Sequence, residues 1–80
     1  MELNDFIEIF AEQFDDTDAS EINADTAFRD LDEWSSLIAL SIIAMVDEEY
    51  GVTLKGADIK SATTVQDLYD TVKGKKAVGT

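Results

Sequence analysis

Apolar residues recur at helical spacing in three stretches of the chain. In residues 3–14, Phe6, Ile7, Phe10 and Phe14 fall on one stripe, with Leu3 one turn earlier. That period predicts an amphipathic helix, and an aromatic stripe of this kind reads as core. Asp5 followed by Glu8 supplies a start signal. Residues 36–50 predict a second helix, with Ala39, Ile42, Ile43, Val46 and Tyr50 on a core face. Leu37, Leu40, Ser41, Ala44 and Glu48 lie on a different face. This helix is therefore apolar over more of its circumference than one buried face requires. Either it is central to a bundle or its second apolar stripe is left for a partner. Asp47, Glu48 and Glu49 put acid at its C-terminal end, against the helix dipole, and Gly51 is a natural stop.

The third stretch opens at Thr63 or Thr64, with Thr63 and Gln66 spaced as a capping box. Val65, Leu68, Tyr69 and Val72 form its buried stripe, and Lys73, Lys75 and Lys76 suit its C-terminal end. A short helical turn is expected around Ala57, Asp58 and Ile59. From Asp15 to Ser35 the chain is polar, with Ile22, Ala27, Phe28 and Leu31 as scattered apolar anchors. Those anchors predict an ordered connection holding one short helical turn rather than a free loop. The fold expected is all-α: a small four-helix bundle of three longer helices and one short one, with a long first connection. It forms a single domain over residues 1–80, with 74–80 as a flexible tail.

Composition narrows what such a bundle does. Eighty residues bury only ~60–65% of their unfolded surface, so the core is small. There is no cysteine and no histidine, which removes thiol chemistry, the usual general base and the commonest metal ligand. The net charge is −12, and 15 of the 18 acids but one of the six bases (Arg29) lie in residues 1–50. Nucleic acid and anionic membrane surfaces need a basic face and are disfavoured as partners. A basic protein partner suits the charge, as does simple solubility. Asp16, Asp18 and Ser20 have the start of a calcium-loop spacing, but Glu21 stands where the loop needs glycine and Ala27 where it needs glutamate. With no signal-peptide pattern and no bilayer-length apolar run, the expected location is the cytoplasm.

A Ser-His-acid triad is impossible, every lysine lies between residues 55 and 76, and no glycine-rich phosphate loop is present. The chain is expected not to be an enzyme. Attention falls on Ser35 and Ser36, where the polar connection meets the second helix. A hydroxyl there has unpaired N–H groups and a positive dipole nearby, which favours a phosphodiester. The same position also suits an ordinary helix cap.

Trp34-Ser35-Ser36-Leu37, the apolar helix after it, its acidic close, Tyr50-Gly51-Val52 and Thr63-Thr64-Val65-Gln66-Asp67-Leu68 together resemble an acyl carrier protein, a phosphopantetheine-bearing carrier domain. The resemblance covers about residues 3–73. It implies 4′-phosphopantetheine on Ser36, installed from coenzyme A by a phosphopantetheinyl transferase, with acyl groups carried on the arm as thioesters. It also implies a docking face of Leu37, Leu40, Ser41, Ala44, Asp47 and Glu48 for acyl-transferring, ligating or condensing enzymes with basic patches, the carrier itself being a monomer. Two departures are visible. Ser35 stands where the family usually has aspartate, and Leu37 to Val46 carry no acid. With Trp34, these features point to a polyketide, aminoacyl or surface-polymer pathway rather than housekeeping fatty-acid synthesis. Ser35 also motivates an alternative: a carrier-like interaction module that is not modified. Clustered carboxylates leave a third, a small acidic metal-binding protein.

Overall fold

A computed structural model describes residues 2–79. Four α-helices, and no strand among the described residues, make up the fold: α1 (Leu3–Ala11), α2 (Ser36–Tyr50), α3 (Gly56–Ser61) and α4 (Val65–Gly79). Three are long and one is short, in the arrangement expected. Phe6 and Phe10 of α1, Phe28 of the first connection, Ile42 and Val46 of α2, and Val65, Leu68 and Val72 of α4 are fully buried together.

The first helix is shorter than its apolar stripe. It ends at Ala11 rather than Phe14, and two tight turns follow, with the Gln13 N–H on Phe10 O and the Phe14 N–H on Ala11 O, both 3.1 Å. Phe14 still reaches the core, because its ring packs 5.6 Å from Phe10 and 6.4 Å from Trp34. Packing, not helical geometry, holds the last residue of the stripe in place.

The first connection is ordered and holds two 3₁₀ turns, Ala19–Glu21 and Phe28–Asp30, where one turn was expected. Ile22 and Phe28 are buried, while Ala27 and Leu31 are half-buried. The connection also serves α4. The N–H groups of Val65 and Gln66 donate to Thr26 O (3.1 Å) and Ala24 O (2.9 Å). The next, on Asp67, donates to Thr64 Oγ1 at 3.2 Å. Three N–H groups that a helix start leaves without intrahelical partners are thus satisfied.

The capping box of α4 is therefore Thr64 with Asp67, not Thr63 with Gln66. The Asp67 carboxylate accepts from the N–H groups of Thr63 (3.1 Å) and Thr64 (3.2 Å). The helix begins at Val65, so Thr64 is the cap and the third helical residue is Asp67; the Gln66 side chain instead runs along the helix and donates to Asp70 at 3.0 Å. The hydrogen bonds from Thr63 and then Thr64 hold the Asp67 carboxyl below the usual aspartate range.

Gly51 ends α2 with φ 66° and its N–H on Asp47 O at 2.9 Å, the left-handed stop that glycine adopts without strain. The last helix continues through Gly74 to Gly79, where a tail over 74–80 was expected; Thr80 lies outside the described residues. Two contacts bind this stretch to the bundle. Lys75 pairs with Asp58 of α3 at 3.4 Å, and Lys76 donates to Tyr50 O at 3.1 Å. The second contact brings a cation to the C-terminal end of α2, which offsets part of the unfavourable acid there.

Candidate functional site

The residues that open α2 are each held by a different contact. Trp34 is half-buried, with its ring edge-on to Phe28 at 5.0 Å and tilted against Phe14 at 6.4 Å. Its N–H donates to Leu31 O at 3.0 Å. Glu33 reaches back across the connection. Its carboxylate accepts from the Asp15 N–H (2.7 Å), the Asp16 N–H (2.9 Å) and the Thr17 hydroxyl (2.8 Å). Desolvation raises the Glu33 pKa, but these hydrogen bonds from Asp15, Thr17 and Asp16 outweigh it and leave the carboxyl below the usual glutamate range. The start of the connection, just after Phe14, is thereby joined to the residue three before Ser36.

Ser35 and Ser36 differ in what they do at the helix start. Ser35 is the cap: its backbone is extended (φ −156°, ψ 174°), and its Oγ accepts from the Ile38 N–H at 3.4 Å. Ser36 is the first helical residue and is exposed. No acid stands in the first turn of α2. The helix start therefore keeps its positive end free of a carboxylate on its own turn, which suits a phosphodiester on the Ser36 oxygen.

Among the described residues, Leu37 and Leu40 are the exposed large hydrophobic ones, at 76% and 61% of full exposure. Ala44, Asp47 and Glu48 are exposed with them, and Ser41 is half-buried. The six residues expected to form a docking face thus lie along the outer side of α2. The inner side differs from its expectation. Ile42 and Val46 are buried, but Ala39, Ile43 and Tyr50 are half-buried, and Met45 is buried at 6%. Met45 belongs to the side of α2 that faces α1, a direction that a single core stripe does not include.

Beside Ser36's connection lies an open acidic depression of about 500 Å³, whose wall includes Asp16, Asp30, Asp32 and Glu33. Among the described residues, no group of three or more carboxylates is arranged to hold one metal ion. Glu33 is committed instead to the amides of Asp15 and Asp16. Sequence reasoning missed Glu33 because its partners lie 16–18 residues away; no local spacing signals such a contact.

An all-helical bundle that offers an exposed serine at the start of an amphipathic second helix is the architecture of a carrier domain. The sequence pattern of the family described as "Phosphopantetheine attachment site" matches residues 4–72. The chain is also 35% identical, over 60 residues, to "Polyketide-8 synthase acyl carrier protein 2" of Streptomyces avermitilis, covering 75% of this chain and 69% of that one. The chain belongs to the phosphopantetheine-bearing acyl carrier protein family. Members of this family carry covalent 4′-phosphopantetheine, are not themselves catalysts, and interact with a phosphopantetheinyl transferase and with synthase enzymes. Among the described residues no helix is long and apolar enough to cross a membrane.

Proposed function

We propose that Ser36 is the attachment residue and that this protein carries acyl intermediates to partner enzymes. The observation that carries the reading is the division between the two serines: Ser35 caps α2, and the exposed Ser36 is left for modification. Ser36 Oγ would receive the phosphopantetheine of coenzyme A from a phosphopantetheinyl transferase. The attached arm supplies the thiol, absent from the chain itself, on which an acyl group rides as a thioester. Around it the chain's own residues do three things. Ser35 holds the helix start, Trp34 and Glu33 fix the connection before it, and Leu37, Leu40, Ser41, Ala44, Asp47 and Glu48 receive the partner.

The name of the Streptomyces relative supports a polyketide pathway over an aminoacyl or surface-polymer one, and over housekeeping fatty-acid synthesis. The acidic outer face of α2 suits acyl-transferring, ligating or condensing enzymes with basic patches. We place the protein in the cytoplasm as a single-domain monomer.

Incubating the apo protein with coenzyme A and a broad-specificity transferase, then measuring the intact mass, tests the reading. One phosphopantetheine is expected on the wild type and on Ser35→Ala, and none on Ser36→Ala. No adduct on the wild type, or an adduct that survives Ser36→Ala, would instead favour an interaction module that works without the arm.

A further inference from the structure

The carboxylate of Glu33 is held at both of its oxygens. Oε2 accepts from the Asp15 N–H at 2.7 Å, and Oε1 accepts from the Asp16 N–H at 2.9 Å and the Thr17 hydroxyl at 2.8 Å. A single hydrogen bond lets a side chain pivot, whereas a hold on both oxygens fixes the plane of the carboxylate. An ionised acid supplies two acceptor oxygens at once, which a neutral amide cannot. The acid stands here although Asp16, Asp30 and Asp32 line the same depression and repel it. Side-chain hydrogen bonds at Asp18, Asn23 and Thr26 close over two to five residues and shape their own turns. The Glu33 clamp instead spans 16–18 residues.

What lies beyond the clamp is the attachment serine. Glu33 is followed by Trp34, whose ring rests on Phe28 and Phe14, by the cap Ser35, and by Ser36. Each residue spans at most ~3.3–3.6 Å, so play at Glu33 passes directly to Ser36. Ser36 is the first residue of α2, where a helix frays, and Leu37 and Leu40 hold a partner only from the far side of it. In the transfer, Ser36 Oγ bonds to the phosphorus of the phosphopantetheine unit, the phosphoanhydride bond of coenzyme A breaks, and adenosine 3′,5′-bisphosphate leaves. The hydroxyl proton passes to a base of the transferase. Attacking and leaving oxygens must lie nearly in line, so the demand on Ser36 is positional.

We infer that Glu33 is a positioning residue for the modification of Ser36: its two-oxygen clamp on Asp15, Asp16 and Thr17 keeps the docked hydroxyl in line for transfer. The inference rests on Ser36 being the attachment residue. It assigns Glu33 to the step after docking, not to docking itself.

Steady-state kinetics of a broad-specificity transferase with coenzyme A, on the apo protein well below every Tm, tests it. Glu33→Gln should lower kcat at least about fivefold while KM stays within about twofold of wild type. Thr17→Val, which removes one donor and leaves both amides, is milder on the fold and should lower kcat about twofold. Asp32→Asn makes the same change in net charge as Glu33→Gln at the neighbouring exposed residue, and Thr26→Val removes side-chain contacts elsewhere in the connection. Neither should lower kcat. Amide exchange at Ser36 and Leu37 should quicken in Glu33→Gln and not in Asp32→Asn. Unchanged kcat in both clamp variants would overturn the inference, as would a rise in KM alone, a kcat loss shared equally by Asp32→Asn or Thr26→Val, or unchanged exchange. Any of these on a wild type that is modified leaves the carrier reading standing. A wild type that takes no phosphopantetheine overturns that reading and this inference with it.

Discussion

Replacing Ser35 asks whether a hydroxyl does the capping at the start of α2. Its Oγ is 3.4 Å from the Ile38 nitrogen, longer than the usual N–H to oxygen hydrogen bond. The loss on Ser35→Ala should therefore fall in the lower part of the capping range, about 0.5–1 kcal/mol. For a domain of this size that is a fall in Tm of ~2–8 °C. Ser35→Asp acts in the opposite direction. The extended backbone at this position accepts either residue, and a carboxylate is a stronger acceptor that also meets the helix dipole, adding roughly 0.3–1 kcal/mol at low salt. Against this stands the −12 net charge, which the new acid increases. The local term should win, because no other acid stands in the first turn of α2. Calorimetric melts of the three proteins at low and moderate salt decide it, in the order Asp, Ser, Ala, with the Asp advantage shrinking as salt rises. An alanine variant that melts with the wild type would show that the long contact contributes nothing. An aspartate variant less stable than alanine would show that global repulsion governs this helix start.

Gly51→Ala forces a side chain into φ 66° where no neighbouring atom lies within 4 Å, so its cost is conformational alone, about 1–2 kcal/mol in urea unfolding; a cost near zero would mean that the turn re-forms with negative φ. The carboxyls of Asp18, Glu33 and Asp67 are all held below their ordinary pKa, the first by the backbone and then the side chain of Ser20. The unfolded chain therefore binds protons more readily, so stability from these groups is fully present above about pH 4.5 and is lost as pH falls through their lowered folded values. Glu33→Gln should flatten that acid slope in unfolding measured across pH, and an unchanged slope would remove Glu33 from the account. Leu37→Ser with Leu40→Ser should leave unfolding within about 0.5 kcal/mol of wild type, as befits exposed positions, while slowing acyl transfer by a partner enzyme; a large stability loss would mean that the row is core.

What the sequence made legible is what local periodicity and turn chemistry determine. Both bounds of α2, the Gly51 stop and the exposed row of Leu37 and Leu40 follow from residues a few positions apart. The errors occur where tertiary contacts decide. Phe14 carries the α1 stripe past the end of the helix because the rings of Phe10 and Trp34 hold it. Gln66 loses the capping box to Asp67 because the helix starts at Val65, where Thr26 O and Ala24 O receive its first N–H groups. Residues 74–80 read as tail because chain ends fray, yet the helix runs to Gly79, and Lys75 and Lys76 fasten the start of that stretch to α3 and α2. At the start of α2, the place of Ser36 as the first helical residue was legible and the Glu33 contact was not, since a carboxylate that joins residues 16–18 positions distant leaves no periodic trace.

The contacts before Ser36 explain why a small domain orders so long a first connection. Fixing each residue costs about 1–2 kcal/mol of backbone entropy, and this connection holds few buried side chains in return. Yet its two ends are tied down by consecutive residues: Glu33 on the Asp15 and Asp16 amides, Trp34 between Phe14 and Phe28, and Ser35 on the Ile38 N–H. Its middle is tied to α4 through Thr26 and Ala24, and Arg29 adds a contact to Ala62 O at 3.0 Å. A connection that served only to join α1 to α2 would gain little from holding three successive side chains at its last residues. A serine that another protein reaches and modifies, as we propose for Ser36, gains a fixed position relative to Leu37 and Leu40, so that one docking event would set both the helix face and the hydroxyl. On this argument the ordered connection and the outward leucines are two halves of one device, and loosening the Glu33 contact should impair modification of Ser36 more than it impairs the fold.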